Sequence, residues 1–182
     1  TTDIDKVLGE GRILWMETEH FKIGCNLGFA GAPKDSVARR QLKAEMKRLN
    51  KKGRKIPASK GKMGPWLRLH IYAQRAEDLL AEFSELSGHN EPGKQLGQKE
   101  KLLLLLFEKK SDLARYMDVF GGRKASQTQR LHHAGGHYSL VLTAQGDDGP
   151  RDSETVNAQF RFFLIQMFCD AANGGQFALG VG

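Results

Sequence analysis

The chain has 182 residues, 40% of them hydrophobic and 27% charged, which is the make-up of an ordinary globular domain with a sizeable core. Its longest apolar run, Leu102 to Phe107, is far too short to span a membrane, and the opening "TTDIDKVLGEGR" has no basic-then-apolar signal pattern. The net charge of +7 is uneven: Lys34 to Lys62 holds twelve basic and two acidic residues, a balance of +10, and the remainder holds sixteen basic and nineteen acidic, a balance of −3.

In chain order, "ILWMETEHFKIGCN" (Ile13 to Asn26) is rich in β-formers and predicts a strand. Gly28, Gly31 and Pro33 break it. Asp35 or Ser36 can then cap a helix reaching about Lys51, with Val37, Leu42, Met46 and Leu49 as its apolar stripe. "KKGRKIPASKGKMGP" reads as a basic loop. "WLRLHIYA" (Trp66 to Ala73) alternates and predicts a strand, followed by a helix over "RAEDLLAEFSELSG" that stops at Gly88. After the loop "HNEPGKQLGQKE", "KLLLLLFE" (Lys101 to Glu108) fits a fully buried central strand. "KSDLARYMDVFGG" predicts a short helix capped by Ser111 or Asp112 and stopped at Gly121.

"RKASQTQRLHHAGG" reads as loop, "HYSLVLTA" (His137 to Ala144) as a strand, and "QGDDGPRD" as a turn. Ser153 then caps a last helix that ends near Asn173-Gly174-Gly175. The segments "LRLHIYAQRAEDLLAEFSELSG" and "KLLLLLFEKKSDLARYMDVFGG" echo each other 34 residues apart, as two similar strand-helix units. The order β-α-β-α-β-α-β-α predicts a single α+β domain over residues 1–182, a mixed sheet packed by helices, with a basic helix-loop at 34–62. The missing starting Met and the small, apolar ending "FALGVG" lead to the expectation of a processed product or an excised piece of a longer chain.

Cys25 and Cys169 belong to no C-x-x-C, which argues against a cysteine zinc site. Two free thiols are expected, a disulfide is the alternative, and the compartment stays open. No G-x-x-x-x-G-K-[ST], G-x-G-x-x-G or G-x-S-x-G occurs, so no nucleotide or hydrolase motif is present and no cofactor is expected. "LHHAGGH" offers His132, His133 and His137 as weak metal candidates, without a carboxylate in the motif to orient a ring. "QGDDGP" has too few oxygen ligands for a calcium loop.

The helix "ETVNAQFRFFLIQMF" (Glu154 to Phe168) carries Val156, Phe160, Phe163, Leu164, Met167 and Phe168 at helical spacing, the pattern of a core helix. It also follows an alternating strand and a turn. With "ETEHFKIGCNLG" (Glu17 to Gly28), "LRLHIYAQRAEDLLAEFSEL" and "GGHYSLVLTAQGDD", it resembles the zincin metallopeptidases, more narrowly gluzincin-like peptidases, over most of the chain as a diffuse pattern. The resemblance implies a zincin-like fold and makes this the zinc helix.

In such enzymes the two His of H-E-x-x-H, one turn apart, bind zinc, and the Glu between them is the general base. Here Asn157 and Arg161 take the His positions and Ala158 takes that of the base. The family's third ligand, a Glu on a following helix, would lie past Gly182. The resemblance thus implies a domain that lacks the catalytic residues. Asn157 and Arg161 share a face and are expected to be solvated, or paired with acids such as Asp152 or Glu154.

The basic segment is the best binding candidate. Arg39, Arg40, Lys43, Lys47, Lys51, Lys52, Arg54, Lys55, Lys60 and Lys62 could meet a polyanion; Lys43, Lys47 and Lys51, or Arg40, Lys51 and Arg54, could each line part of a face. Aromatics are sparse within the segment, so any nucleic-acid contact is expected through the backbone and without base stacking. Three readings follow: a non-catalytic zincin-like module serving a protein partner or larger assembly, a basic nucleic-acid-binding protein, or a metallopeptidase whose ligands lie among the three histidines or outside this chain.

Overall fold

A computed structural model describes residues 2–51, 62–88, 100–121, 129–134, 137–146, 149–150 and 153–172. The fold is α+β. Its main sheet has five strands in the order β1 (Leu14–Glu17), β2 (Phe21–Cys25), β5 (Leu102–Phe107), β7 (His137–Thr143) and β6 (Gln129–Ala134). The sheet is mixed. β2, β5 and β7 run parallel, with Phe21 opposite Leu102 and Leu103 opposite Ser139, and β1 and β6 close the edges antiparallel.

The apolar run of β5 explains itself here, because both sides of this strand are covered. Leu102, Leu104 and Leu106 enter one core with Phe21, Ile23, Leu140 and Leu142, under the helices α3 (Pro65–Ser87) and α5 (Ser153–Ala172). Leu105 and Phe107 enter a second core with Val141, under α1 (Thr2–Leu8) and α4 (Lys110–Phe120). A central strand covered on two sides needs apolar residues at every position, whatever their helix preference. Gly24 of β2 is required by a close approach: a Cβ there would lie 2.8 Å from the Trp15 ring and 2.9 Å from Leu105.

The stretch Ile13 to Asn26 is a hairpin of two strands and not one. Its turn is pinned to α3 by Glu77, which accepts from the His20 backbone N–H at 3.0 Å and lies 2.7 Å from His20 Nδ1. The predicted strand Trp66 to Ala73 is instead the first half of α3, a continuous helix that starts at Pro65 and ends in a left-handed Gly88. Pro at the first helical position is pre-set for a helix. The alternation misleads because α3 buries two faces. Leu69, Tyr72, Ala73, Ala76 and Leu80 pack towards the sheet, while Leu67 and Ile71 pack in a separate cluster with α2 (Ser36–Lys51). The echo of two strand-helix units therefore fails in its first half.

The predicted loop over Gln129 to Ala134 is the edge strand β6. Polar side chains suit an edge, and pairing with β7 needs only backbone groups. The N-terminal helix α1 was not expected from the sequence; Leu8 anchors it to α4. At α4 the expected cap is also different. Lys109 is the N-cap without a side-chain bond, and the Lys110 amide donates to Gln145 of β8 (Gln145–Gly146) at 3.1 Å. Asp112 is buried and accepts from Asn26 Nδ2 at 2.9 Å, while Asn26 Oδ1 accepts the Glu108 amide at 2.9 Å.

β8 pairs with β9 (Gly149–Pro150); the turn expected at Asp147-Asp148 lies outside the described residues. Cys25 and Cys169 are free, the first buried and the second half-buried. No helix among the described residues is long and apolar enough to cross a membrane.

Candidate functional site

The helix α5 lies on the α3 side of the sheet. Val156, Phe160, Leu164, Met167 and Phe168 are buried there. Phe160 meets Tyr72 edge-on with ring centroids 5.0 Å apart, and Phe168 sits 5.5 Å from Phe83 and 6.2 Å from Phe21. This stripe is core, and it fixes where Asn157 and Arg161 fall.

Asn157 is half-buried at the junction of three helices. Its Oδ1 accepts from Arg75 Nη1 of α3 at 2.6 Å. The same guanidinium makes a two-pronged pair with Glu45 of α2, Nε and Nη2 each 2.9 Å from one carboxylate oxygen. Gln41 donates to Glu45 at 3.1 Å, and the Arg75 guanidinium lies 5.9 Å from the centroid of the Tyr72 ring. Glu45 is only 3% exposed, so its carboxylate is removed from water. A charge in such a place survives only when paired and hydrogen-bonded, and the fork of Arg against a carboxylate is the strongest arrangement for that.

Beside the network is a cavity of about 20 Å³, lined among others by Arg68, Tyr72, Arg75 and Asn157. That is room for roughly one water molecule. Arg68 is itself occupied. Its Nη1 donates to the Gly28 carbonyl at 2.9 Å and lies 3.5 Å from Glu108, which accepts the Gly28 amide at 2.9 Å. Burial pushes the Tyr72 hydroxyl up from its ordinary value, against the opposing pull of Arg68 and Arg75. The neighbouring Cys25 thiol is pushed up by burial to about 11, which makes it inert as a nucleophile near neutral pH.

Asn157 and Arg161 were expected to be solvated or paired with acids. Asn157 is instead half-buried and meets Arg75 and, among the described residues, no acid, while Arg161 is exposed as expected. Arg161 pairs weakly with Glu82 of α3 at 3.8 Å, both half in water, and Glu154 accepts the Asp35 amide at 3.4 Å. Asp152 lies outside the described residues. Ala158 faces solvent. Among the described residues no three of His, Cys, Asp or Glu gather as a metal site. The imidazoles of His132, His133 and His137 lie outside the described residues; the backbone sets His132 opposite Ser139 and His133 opposite Tyr138 in the β6–β7 pair.

The helix α2 carries six of the twelve basic residues of the segment 34–62. Asp35 caps it as expected, accepting the Ala38 amide at 2.7 Å. Leu42, Glu45 and Leu49 form its buried stripe, and Val37, expected there, is 68% exposed. At about 100° per residue, Arg40, Lys43, Lys47 and Lys51 fall within about 80° of arc on the opposite side, with Arg39 at its flank. All five are exposed, and none of them forms an ion pair with a described residue. Arg48, on the other flank, is occupied by Asp78 of α3 at 2.6 and 3.1 Å. Lys62 stands in the ribbon of β3 (Ala30–Gly31) and β4 (Lys62–Met63). Lys52, Arg54, Lys55 and Lys60 lie outside the described residues.

Sequence reasoning missed Arg75 and Glu45. One signal was present: Glu45 is the acid that interrupts a basic helix, and it does so on the stripe of Leu42 and Leu49, where an unpaired carboxylate could not stay. It also missed two exposed rings, Phe29 at 71% and Trp66 at 53%. No family model, curated protein or solved structure matches this chain.

Proposed function

We propose that the chain is a non-catalytic, zincin-like interaction domain that binds a protein or polyanionic partner. The observation that supports this reading is the bond of Arg75 to Asn157 at 2.6 Å. By the resemblance, residue 157 holds the place of a zinc-binding His. Zinc takes thiolate, imidazole or carboxylate ligands, and a guanidinium can only donate hydrogen bonds. A fixed cation already lies against that position, Ala158 cannot move a proton, and Arg161 adds a second positive charge one turn on. The buried acid that balances Arg75 is Glu45, so the junction is neutral without a metal.

The test is metal content by mass spectrometry before and after dialysis against zinc, together with casein digestion. The expected outcome is no stoichiometric zinc and no zinc-dependent cleavage. About one tightly held zinc per chain would overturn the reading in favour of a metallopeptidase that uses the histidines of "LHHAGGH" or ligands outside this chain. A second reading, a basic nucleic-acid-binding protein, is favoured by the five cations of α2 that no described acid neutralises. Its test is a mobility shift that vanishes at moderate salt.

A further inference from the structure

We propose that the α2 side of the molecule binds single-stranded nucleic acid, with the phosphates on the cationic row and bases on the rings of Trp66 and Phe29. This rests on the polyanion-binding part of the proposed function and adds the strandedness, the stacking residues and the site. The basic segment itself is poor in aromatics, but the fold supplies them from outside it. β3 and β4 pair through Ala30 with Met63 and Gly31 with Lys62. Met63 packs with Leu42 and Leu49 of α2, and Ala30 and Met46 pack against the same cluster, so this ribbon lies against α2.

Phe29 directly precedes the ribbon, and its ring covers Gly64, where an added Cβ would be 3.4 Å away. Trp66 is the second residue of α3, its ring centroid 6.5 Å from that of His70. Both rings remain largely exposed although they flank a cluster that could have buried them.

Three features fix the choice of partner. The cations Arg39, Lys43, Lys47 and Lys51 recur every four residues, a step of about 6 Å along the helix, which a chain of phosphates can meet one by one. Exposed rings on elements packed against the helix that carries such a row suit a single strand, because every base offers a face for stacking and a closed duplex offers none along its length. An anionic lipid surface would match the charge, but among the described residues along this ribbon and helix the large exposed apolar side chains are Phe29, Trp66 and Val37, little for insertion into a bilayer.

The experiment is a titration of the chain with an oligothymidylate of twelve nucleotides, its duplex with oligoadenylate, and phosphatidylserine vesicles. It is read by fluorescence anisotropy and by tryptophan quenching. The other tryptophan, Trp15, is half-buried and donates to Asp5 at 2.9 Å, so quenching reports on Trp66. The expected result is saturable quenching by the single strand and weaker binding of the duplex. Trp66→Ala and Phe29→Ala should each weaken the single strand about tenfold or more. Trp66→Phe, which keeps a ring, should bind within about twofold of the parent. Lys43→Ala with Lys47→Ala should lower the slope of log affinity against log salt by about 0.7 per lost contact.

Circular dichroism checks that each variant is folded. Equal affinity for duplex and single strand, an unchanged affinity in folded Trp66→Ala, binding to vesicles alone, or no binding at low salt would each overturn the proposal. A chain that takes up zinc and still binds oligothymidylate would overturn the non-catalytic reading and leave this inference standing. A zinc-free chain that ignores oligothymidylate would do the reverse.

Discussion

The two sides of α2 carry the same kind of side chain in opposite circumstances. Inward, Glu45 is out of water and its partner Arg75 nearly so, and the pair is hydrogen-bonded and tied to Asn157 across three helices. Outward, Arg39, Arg40, Lys43, Lys47 and Lys51 have no acid among the described residues. A raw charge count treats these groups alike. Their energetics differ: the inner pair is coupled to the folding of the domain, and the outer row is coupled to no acid among the described residues. Charges without internal work are the ones free to meet a partner.

The comparison breaks first, and hardest, at Arg75. Arg75→Ala leaves a carboxylate buried without its counter-charge, and urea denaturation should show a loss of about 3–5 kcal/mol. Glu45→Ala should cost less, because Arg75 is more exposed than Glu45 and can reach water. The second lever is pH. Cys25 is raised from 9.0 to about 11, so its contribution is complete below pH 9 and is lost as pH rises towards 11. Two units correspond to about 3 kcal/mol. Cys25→Ala, which cannot ionise, should flatten that part of the stability–pH curve measured by thermal melts.

A smaller effect is expected at Arg48, whose pair with Asp78 is half in water; Arg48→Ala should cost about 0.5–1 kcal/mol, and less in high salt. The smallest is expected on the outer row itself. Lys43→Ala and Lys47→Ala should each leave stability within about 0.5 kcal/mol of the parent by the same denaturation assay. A large loss there would mean that these lysines hold the fold together, and the contrast between the two sides would collapse.

The sheet's centre was legible because its cause is local. A run of apolar residues bounded by polar ones at Lys101 and Glu108 fits a strand covered on both sides, and the structure covers it twice. The Asp35 cap and the Gly88 stop were legible for the same reason. The first half of α3 was not, because two apolar stripes on one helix imitate alternation. β6 was not, because an edge strand is chosen by its neighbour's free backbone and not by its own composition.

The site divides in the same way. That Asn157, Ala158 and Arg161 form no H-E-x-x-H is readable in the chain. That Arg75 meets Asn157, 82 positions away, and Glu45, 30 positions away, depends on how three helices pack. The two exposed rings, Phe29 and Trp66, lie outside the basic segment in sequence, and only packing brings their elements against α2.

The parallel pairing of β2 with β5 has a consequence for how the chain is made. Phe21 must wait for Leu102, 81 positions later, before β2 gains its inner neighbour. At about 5–20 residues per second on the ribosome, that is a delay of roughly 4–16 s. Throughout it, Phe21, Ile23 and Cys25 stand on a hairpin with one side unpaired. α3, which shares a core with Phe21, Ile23 and Cys25 in the folded domain, is synthesised within this interval, whereas the backbone edge of β2 finds its partner only with β5.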